Sequence, residues 1–318
     1  MLEKIAEYIR NNKNILEKEE LNPVVDFINT NSFKSPRIFS DIGQDSAAID
    51  NNNEMYTLVT TDRIKTSYIE KFPSGAGFSS ILVGVDDIYA CGGKPLAATI
   101  IISFKEQKIG QKMIKGICDG SNKFKVPIIR GHTHTKDYYE LSSTIIGEIK
   151  KSDYIPADNA LRNDNIILAS DFDGQLGRAS NLHWDTVTHK SSQEVLNRRF
   201  AMNVIARQNL ANSSKDVSNG GIFGTILQLI KYSKVGADIN VEKITIPPKL
   251  IELGYDLEIY IQMFLTTSYI LTAPDEKYQD VLKIFRDHGM FAAVIGKIKS
   301  ESELIINDKN NSIKVLEF

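Results

Sequence analysis

Residues 78–97 read FSSILVGVDDIYACGGKPLA. Phe78, Ile81, Leu82, Val85 and Ile88 or Tyr89 recur at a period near 3.6, which predicts a core-facing helix, and Gly92, Gly93 and Pro95 stop it. Two acids, Asp86 and Asp87, lie inside that helix, and Asp87 falls near its apolar face, where capping does not explain a carboxylate. Working outward, Met55 to Thr61 is a strand candidate ending in Thr-Thr-Asp. A loop containing Pro73, Gly75 and Gly77 separates it from the helix. Downstream come a buried-type strand over 97–104, a helix with Ile109, Met113, Ile114, Ile117 and Cys118 on one face, and strands over 126–130 and 141–149. The first half thus reads as an α/β unit whose strands end in polar motifs.

The second half opens with a strand over 165–170 that runs into Asp171-Phe-Asp-Gly174. One helix carries Val195, Leu196, Phe200, Val204 and Ile205, and another carries Ile222, Phe223, Ile226, Leu227 and Ile230. Strands at 237–246 and 269–273, a helix with Tyr278, Val281, Leu282 and Phe285, and a strand over 292–298 complete the pattern. This mixed order predicts an α+β class rather than a regular doubly wound sheet. Turn residues clustered near Lys151 to Asp158 put the boundary between residues 1–152 and 153–318. At the start, Leu2, Ile5, Ala6 and Ile9 mark an amphipathic helix.

A length of 318 residues fits two domains, each with its own core. With 38 Lys and Arg against 40 Asp and Glu, the net charge of -2 gives no general attraction to nucleic acid or an anionic membrane. Cys91 and Cys118 form no metal or redox pair, the start lacks a signal-peptide apolar core, and no stretch approaches the roughly 20 apolar residues that span a bilayer. The expectation is a cytoplasmic protein.

Chemistry is suggested by acids at the ends of predicted elements: Asp45 in GQDSAAI, Asp62 in TTD, Asp86 and Asp87 in VDDIYACGG, and Asp216 in KDVSNGG. Carboxylates far apart in sequence but each beside a turn can converge on magnesium, which takes oxygen ligands and shares them with substrate phosphates. Taken singly, each acid reads more readily as a cap than as a ligand. Glycine turns accompany them at Gly92-Gly93, Gly131 and Gly220-Gly221, and amides exposed by glycine at a helix start suit phosphate. Neither G-x-x-x-x-G-K-[ST] nor G-x-G-x-x-G is present.

In order, GQDSAAI, LVTTD, DDIYACGGKPLA, RGHTH, KDVSNGGIFGTILQLIKYSKVGADI and AAVIGKI resemble the aminoimidazole ribonucleotide (AIR) synthase superfamily, the PurM-like proteins. The resemblance covers nearly the whole chain. It implies a two-domain fold, with an N-terminal α/β domain that contributes strands to a barrel across a homodimer and a C-terminal α+β domain. It also implies ATP between the two domains, and transfer of its γ-phosphate to a small-molecule acceptor, or activation of that acceptor. By the family's motifs, Asp45, Asp62, Asp87 and Asp216 correspond to the carboxylates that hold Mg2+. Thr61, Asp62, Gly131, His132, Thr133 and Asp216 correspond to ATP-binding positions, the glycine-histidine-threonine motif being a turn near the nucleotide.

Three departures from the family pattern stand out. Gln44 replaces the first acid of the G-D-D motif, Gly84 and Asp86 stand where Asn and Ser are common, and Arg130 replaces a glycine. An amide oxygen is a weaker magnesium ligand than a carboxylate, and Asp86 is a candidate to restore the missing charge. The chain ends KVLEF without the C-terminal cysteine of the carbamoyl-dehydrating hydrogenase maturation factor. It also lacks the N-terminal loop cysteine usual in selenophosphate synthetase. The resemblance therefore points to the AIR synthase-related proteins, with a thiamine-monophosphate kinase-like enzyme and a catalytically degenerate nucleotide-binding regulatory protein as alternatives.

The acceptor is expected near Asn181 to Lys190, NLHWDTVTHK, after Asp171. Trp184 would supply a flat apolar wall, and His183, Asp185 or Lys190 would set orientation, unless Trp184 simply packs into the core. His132, His134 and Asp137 are a weaker candidate for a transition-metal site.

Overall fold

A computed structural model describes residues 1–20, 22–40 and 42–318. Helices α1 (Leu2–Asn11), α2 (Lys13–Glu20) and α3 (Asn22–Asn31) lead into strands β1 (Ile38–Ser40), β2 (Ala47–Asp50) and β3 (Met55–Arg63). Helices α4 (Thr66–Lys71) and α5 (Pro73–Ala90), strand β4 (Lys94–Phe104), helix α6 (Gln107–Phe124) and strands β5 (Ile128–Thr135) and β6 (Glu140–Lys150) follow. The second half contains β7 (Asn165–Ser170), β8 (Gln175–Leu176), β9 (His183–Asp185), α7 (Ser192–Arg207), β10 (Ser213–Asp216), α8 (Gly221–Ser233) and β11 (Gly236–Asn240). It closes with α9 (Pro248–Glu252), α10 (Leu257–Tyr260), β12 (Phe264–Leu265), β13 (Ser268–Ala273), α11 (Tyr278–Asp287), β14 (Phe291–Lys299), β15 (Glu303–Asn307) and β16 (Ser312–Glu317).

The first sheet has strand order β1-β2-β3-β6-β4-β5, and the second β10-β13-β7-β14-β11-β15-β16. On β3, Tyr56, Leu58 and Thr60 are buried in alternation, so the even-numbered residues face α5 and Asp62 continues that face. On β7 all six residues are buried, because both faces are covered. Ile167 and Ala169 join a core shared with α5, α6, α7 and α11, while Ile166 and Leu168 join a core with α8 and α1. The two halves therefore do not keep separate cores. Helix α1 crosses to the second sheet, where the Arg10 guanidinium donates to the carbonyls of Val315 at 2.9 Å and Lys314 at 3.0 Å.

Helix α5 begins at Pro73, at the first helical position that suits proline, so Gly75 and Gly77 lie within it rather than in the expected loop. A Cβ on Gly77 would collide with the Met113 carbonyl, and one on Gly116 with the Ser74 carbonyl. Glycine thus lets α5 and α6 approach backbone to backbone. The buried face of α6 follows these glycines with Met113, Ile117 and Phe124, leaving Ile114 and Cys118 exposed. Gly92, at φ +79°, makes the turn after α5, and Asn203 Nδ2 donates to the Gly92 and Gly93 carbonyls, each at 2.8 Å. That glycine pair joins the halves and is not a phosphate loop. Among the described residues no helix is long and apolar enough to cross a membrane.

Candidate functional site

Four elements bring acids to one end of α5. Asp45 lies before β2, Asp62 near the end of β3, Asp87 in α5 and Asp216 at the end of β10. Ligand oxygens of Asp45, Asp87 and Asp216 all lie within 4.8 Å of one another, the one such group of three or more His, Cys, Asp or Glu found among the described residues. Burial, reinforced by Asp62, Asp216 and Asp45, pushes the Asp87 carboxyl well above the ordinary carboxylate range. Burial likewise raises Asp62, whose Oδ2 is buried without a hydrogen-bond partner. Lys215 forms an ion pair with Asp45, whose other oxygen accepts from the Asp216 backbone N–H at 3.1 Å. An all-oxygen donor set with an orphaned carboxylate oxygen on Asp62 fits a hard divalent cation such as magnesium.

Two side chains hold these acids in ways the motif reading missed. Thr60 Oγ1 donates to Asp87 Oδ2 at 2.6 Å, which follows from the period-2 alternation that aligns Thr60 with Asp62. Thr61 points to the opposite face and bonds Thr144 at 2.9 Å, away from the acids. Lys215 lies directly before Asp216, but nothing in the sequence pairs it with Asp45.

A cavity of about 340 Å³ adjoins the acids and is lined by Asp62, Asp87 and Asp216 with Arg63, Lys65, Tyr68 and His183. Ser218 and Asn219, just before α8, border it as well. Arg63 and Lys65 follow the TTD motif and add positive charge to the lining of this cavity.

Other expectations are corrected. Gly131, His132 and Thr133 are not a turn beside the acids. They belong to the exposed edge strand β5, whose pairing with β4 extends the ladder through them, and they do not line this cavity. Asp86 does not replace a missing ligand, because both its oxygens bind the Arg199 guanidinium, at 2.6 and 3.2 Å. Gln44 Oε1 accepts from the Ala157 backbone N–H at 2.6 Å, so the residue replacing the family acid ties the loop to the interdomain connection.

The loop at Asn181 to Lys190 divides in the same way. Trp184 is wholly buried in the second core and donates to the Asp171 carbonyl at 3.1 Å. The Lys190 ammonium pairs with the buried Asp171 carboxylate at 2.8 Å. Trp184, Asp171 and Lys190 thus build the loop from inside and are not a pocket wall. His183 and Asp185 do line a cavity. Burial lowers the His183 pKa, and its Nε2 is buried without a partner. Asp185 is held below the ordinary carboxylate range despite its burial, because Thr188 and the Val187 backbone N–H donate to it.

This arrangement, acids meeting in a cleft between two α/β halves, defines a class of two-domain proteins. Residues 43–149 match the AIR synthase related protein N-terminal domain, and residues 166–309 match its C-terminal domain. The chain belongs to the AIR synthase related family. It is 36% identical to an uncharacterized protein of Methanocaldococcus jannaschii, over 100% of this chain and 97% of that one. It is 24% identical to the thiamine-monophosphate kinase of Pyrococcus abyssi, over 87% of this chain and 88% of the kinase. Among solved structures, T. maritima PurL complexed with ATP superposes with a TM-score of 0.72 at 14% identity. That match covers 88% of this chain but 47% of PurL, so the chain spans about half of that protein. AaThiL complexed with AMPPCP and TMP gives 0.66 at 18% identity, covering 93% and 97%. The fold is the two-domain one, and the family contains enzymes that use ATP.

Proposed function

We propose that this protein is a magnesium-dependent enzyme that binds ATP between its halves and transfers the γ-phosphate to a small-molecule acceptor. The observation that carries this reading is the meeting of Asp45, Asp87 and Asp216, with Asp62 beside them, at a cleft. These four carboxylates would hold Mg2+. When bound, the ion supplies charge neutralisation for the phosphates. Arg63 and Lys65 face the same cavity and give ATP further positive charge, while the start of α8 offers backbone donors. Catalysis is then positioning and electrostatics, with Thr60 and Lys215 fixing the acids. Gln44 has its own structural partners, so its replacement of an acid does not argue for a degenerate site. The functional division follows residues 1–152 and 153–318, and the uncovered face of the first sheet serves a homodimer.

Titration calorimetry tests the reading. ATP or ADP binds at millimolar or lower concentration only with magnesium, and Asp62→Ala weakens binding at least about tenfold. Magnesium-independent binding, or none, defeats it. The likeness to the Pyrococcus abyssi kinase supports a second reading, phosphorylation of thiamine monophosphate, which a kinase assay giving no product removes.

A further inference from the structure

The family match begins at residue 43, so α1, α2 and α3 all precede it. Helix α1 is nonetheless built into the second half, where Leu2, Ile5, Ala6 and Ile9 are buried in the core that also takes α8. The chain then turns at Asn12, itself buried. Its Oδ1 accepts from the Asn14 backbone N–H at 2.9 Å, and its Nδ2 donates to the Tyr8 hydroxyl at 2.5 Å. The start of α2 is therefore held by α1, because a helix of eight residues has little stability of its own.

Two side chains on that first turn reach the residues around the candidate nucleotide cavity. Ile15 is buried against Gly220 and Gly224 at the start of α8. Beside it, Asn14 Nδ2 donates to the Asn219 carbonyl at 2.9 Å, and Asn14 Oδ1 accepts from the Lys65 ammonium at 3.5 Å. Asn219 belongs to the second half and Lys65 to the first, and both line the cavity, whereas Asn14 does not. One side-chain amide thus joins the two walls, its donor end to a loop and its acceptor end to a cation.

We propose that Asn14 is a positioning residue of the nucleotide site, holding Lys65 and the 218–220 loop at a fixed spacing so that the ammonium is in place when the phosphates arrive. The proposal rests on the nucleotide reading of this cavity, and it adds a residue from a segment that the family match does not include. An exposed lysine on its own gives up much of its rotamer freedom when it closes on an anion. A lysine already held by Asn14 gives up less, and two of its three N–H donors stay available for phosphate.

A double-mutant cycle tests this, with ADP and magnesium titrated into the full chain by calorimetry. Asn14→Ala weakens ADP binding by roughly fivefold, and Lys65→Ala by at least as much. In the double variant the combined loss falls well short of the product of the two, because Asn14 has no lysine left to hold. Melting temperatures measured alongside show each variant folded, since the buried face of α1 is untouched. A purely structural Asn14 would instead give losses that multiply. ADP binding by Asn14→Ala equal to that of the wild type, or multiplying losses, overturns the positioning role and leaves the nucleotide reading standing. A wild type that binds no ADP in the presence of magnesium overturns both.

Discussion

Asp86 and Asp87 are neighbours on one helix, yet they live in opposite electrostatic worlds. Asp86 is given a private cation: Arg199 reaches from α7 and holds both its oxygens. Asp87 faces three other acids, Asp62, Asp216 and Asp45, and Lys215 pairs with the last of these. One residue of rotation about the helix, about 100°, is enough to turn a carboxylate from the interface with α7 to the end of β3 and β10. The difference teaches how to separate a structural charge from a functional one. A carboxylate held by one buried cation acts as structure, whereas carboxylates gathered beside a cavity can share a cation that a ligand brings.

The largest effect comes from breaking the matched pair. Asp86→Ala leaves the Arg199 guanidinium, itself wholly buried, without its counter-ion, and costs about 3–5 kcal/mol of stability in a denaturant titration. Replacing both partners with apolar residues, Asp86→Leu with Arg199→Met, recovers most of that loss, because no uncompensated charge remains. If the single and double variants are equally unstable, the pair acts through packing and the contrast with Asp87 fails.

The opposite sign is expected one residue later. Asp87→Asn removes a charge that burial and three acids oppose, and it keeps an oxygen to accept the Thr60 hydrogen bond. The ligand-free variant is more stable than the wild type, by on the order of 1 kcal/mol, and its melting temperature no longer rises on adding magnesium and ATP. A less stable variant that still responds to magnesium and ATP would show that Asp87, like Asp86, is a structural residue.

How much of this was legible beforehand follows from range in sequence. Period 3.6 in Phe78, Ile81, Leu82, Val85 and Ile88 and the apolar run Ile166 to Ala169 mark elements the structure contains, because burial imposes local patterning. The convergence of Asp45, Asp87 and Asp216 is readable only through the order of motifs, since no local rule joins residues so far apart in sequence. Partners were not legible at all. Arg199 for Asp86, Lys215 for Asp45 and the Ala157 backbone for Gln44 are long-range choices, and those for Asp86 and Gln44 give a structural role to residues that look functional or defective in the sequence. Trp184 went the same way, since polar neighbours in sequence hid the core beneath the loop. The strand β5 replaced a turn at Arg130 to His134 because pairing with β4 outweighs a glycine's local preference.

The finest test asks how Asp87 is aimed once it is present. The Thr60 hydroxyl donates to its Oδ2 from β3 at 2.6 Å. Thr60→Val keeps the β-branched shape and the strand preference but removes the donor, so the fold persists while the carboxylate loses its orienting bond. Magnesium-dependent ADP binding weakens by about tenfold, the size of effect seen when a group that orients a metal ligand is removed, and Thr60→Ser restores it. A structural role alone would lower the melting temperature of both variants without separating them in affinity. If Thr60→Val binds as tightly as the wild type, the cluster of acids around Asp87 is sufficient by itself to hold the ligand, and the geometry of its carboxylate is set by the backbone of α5.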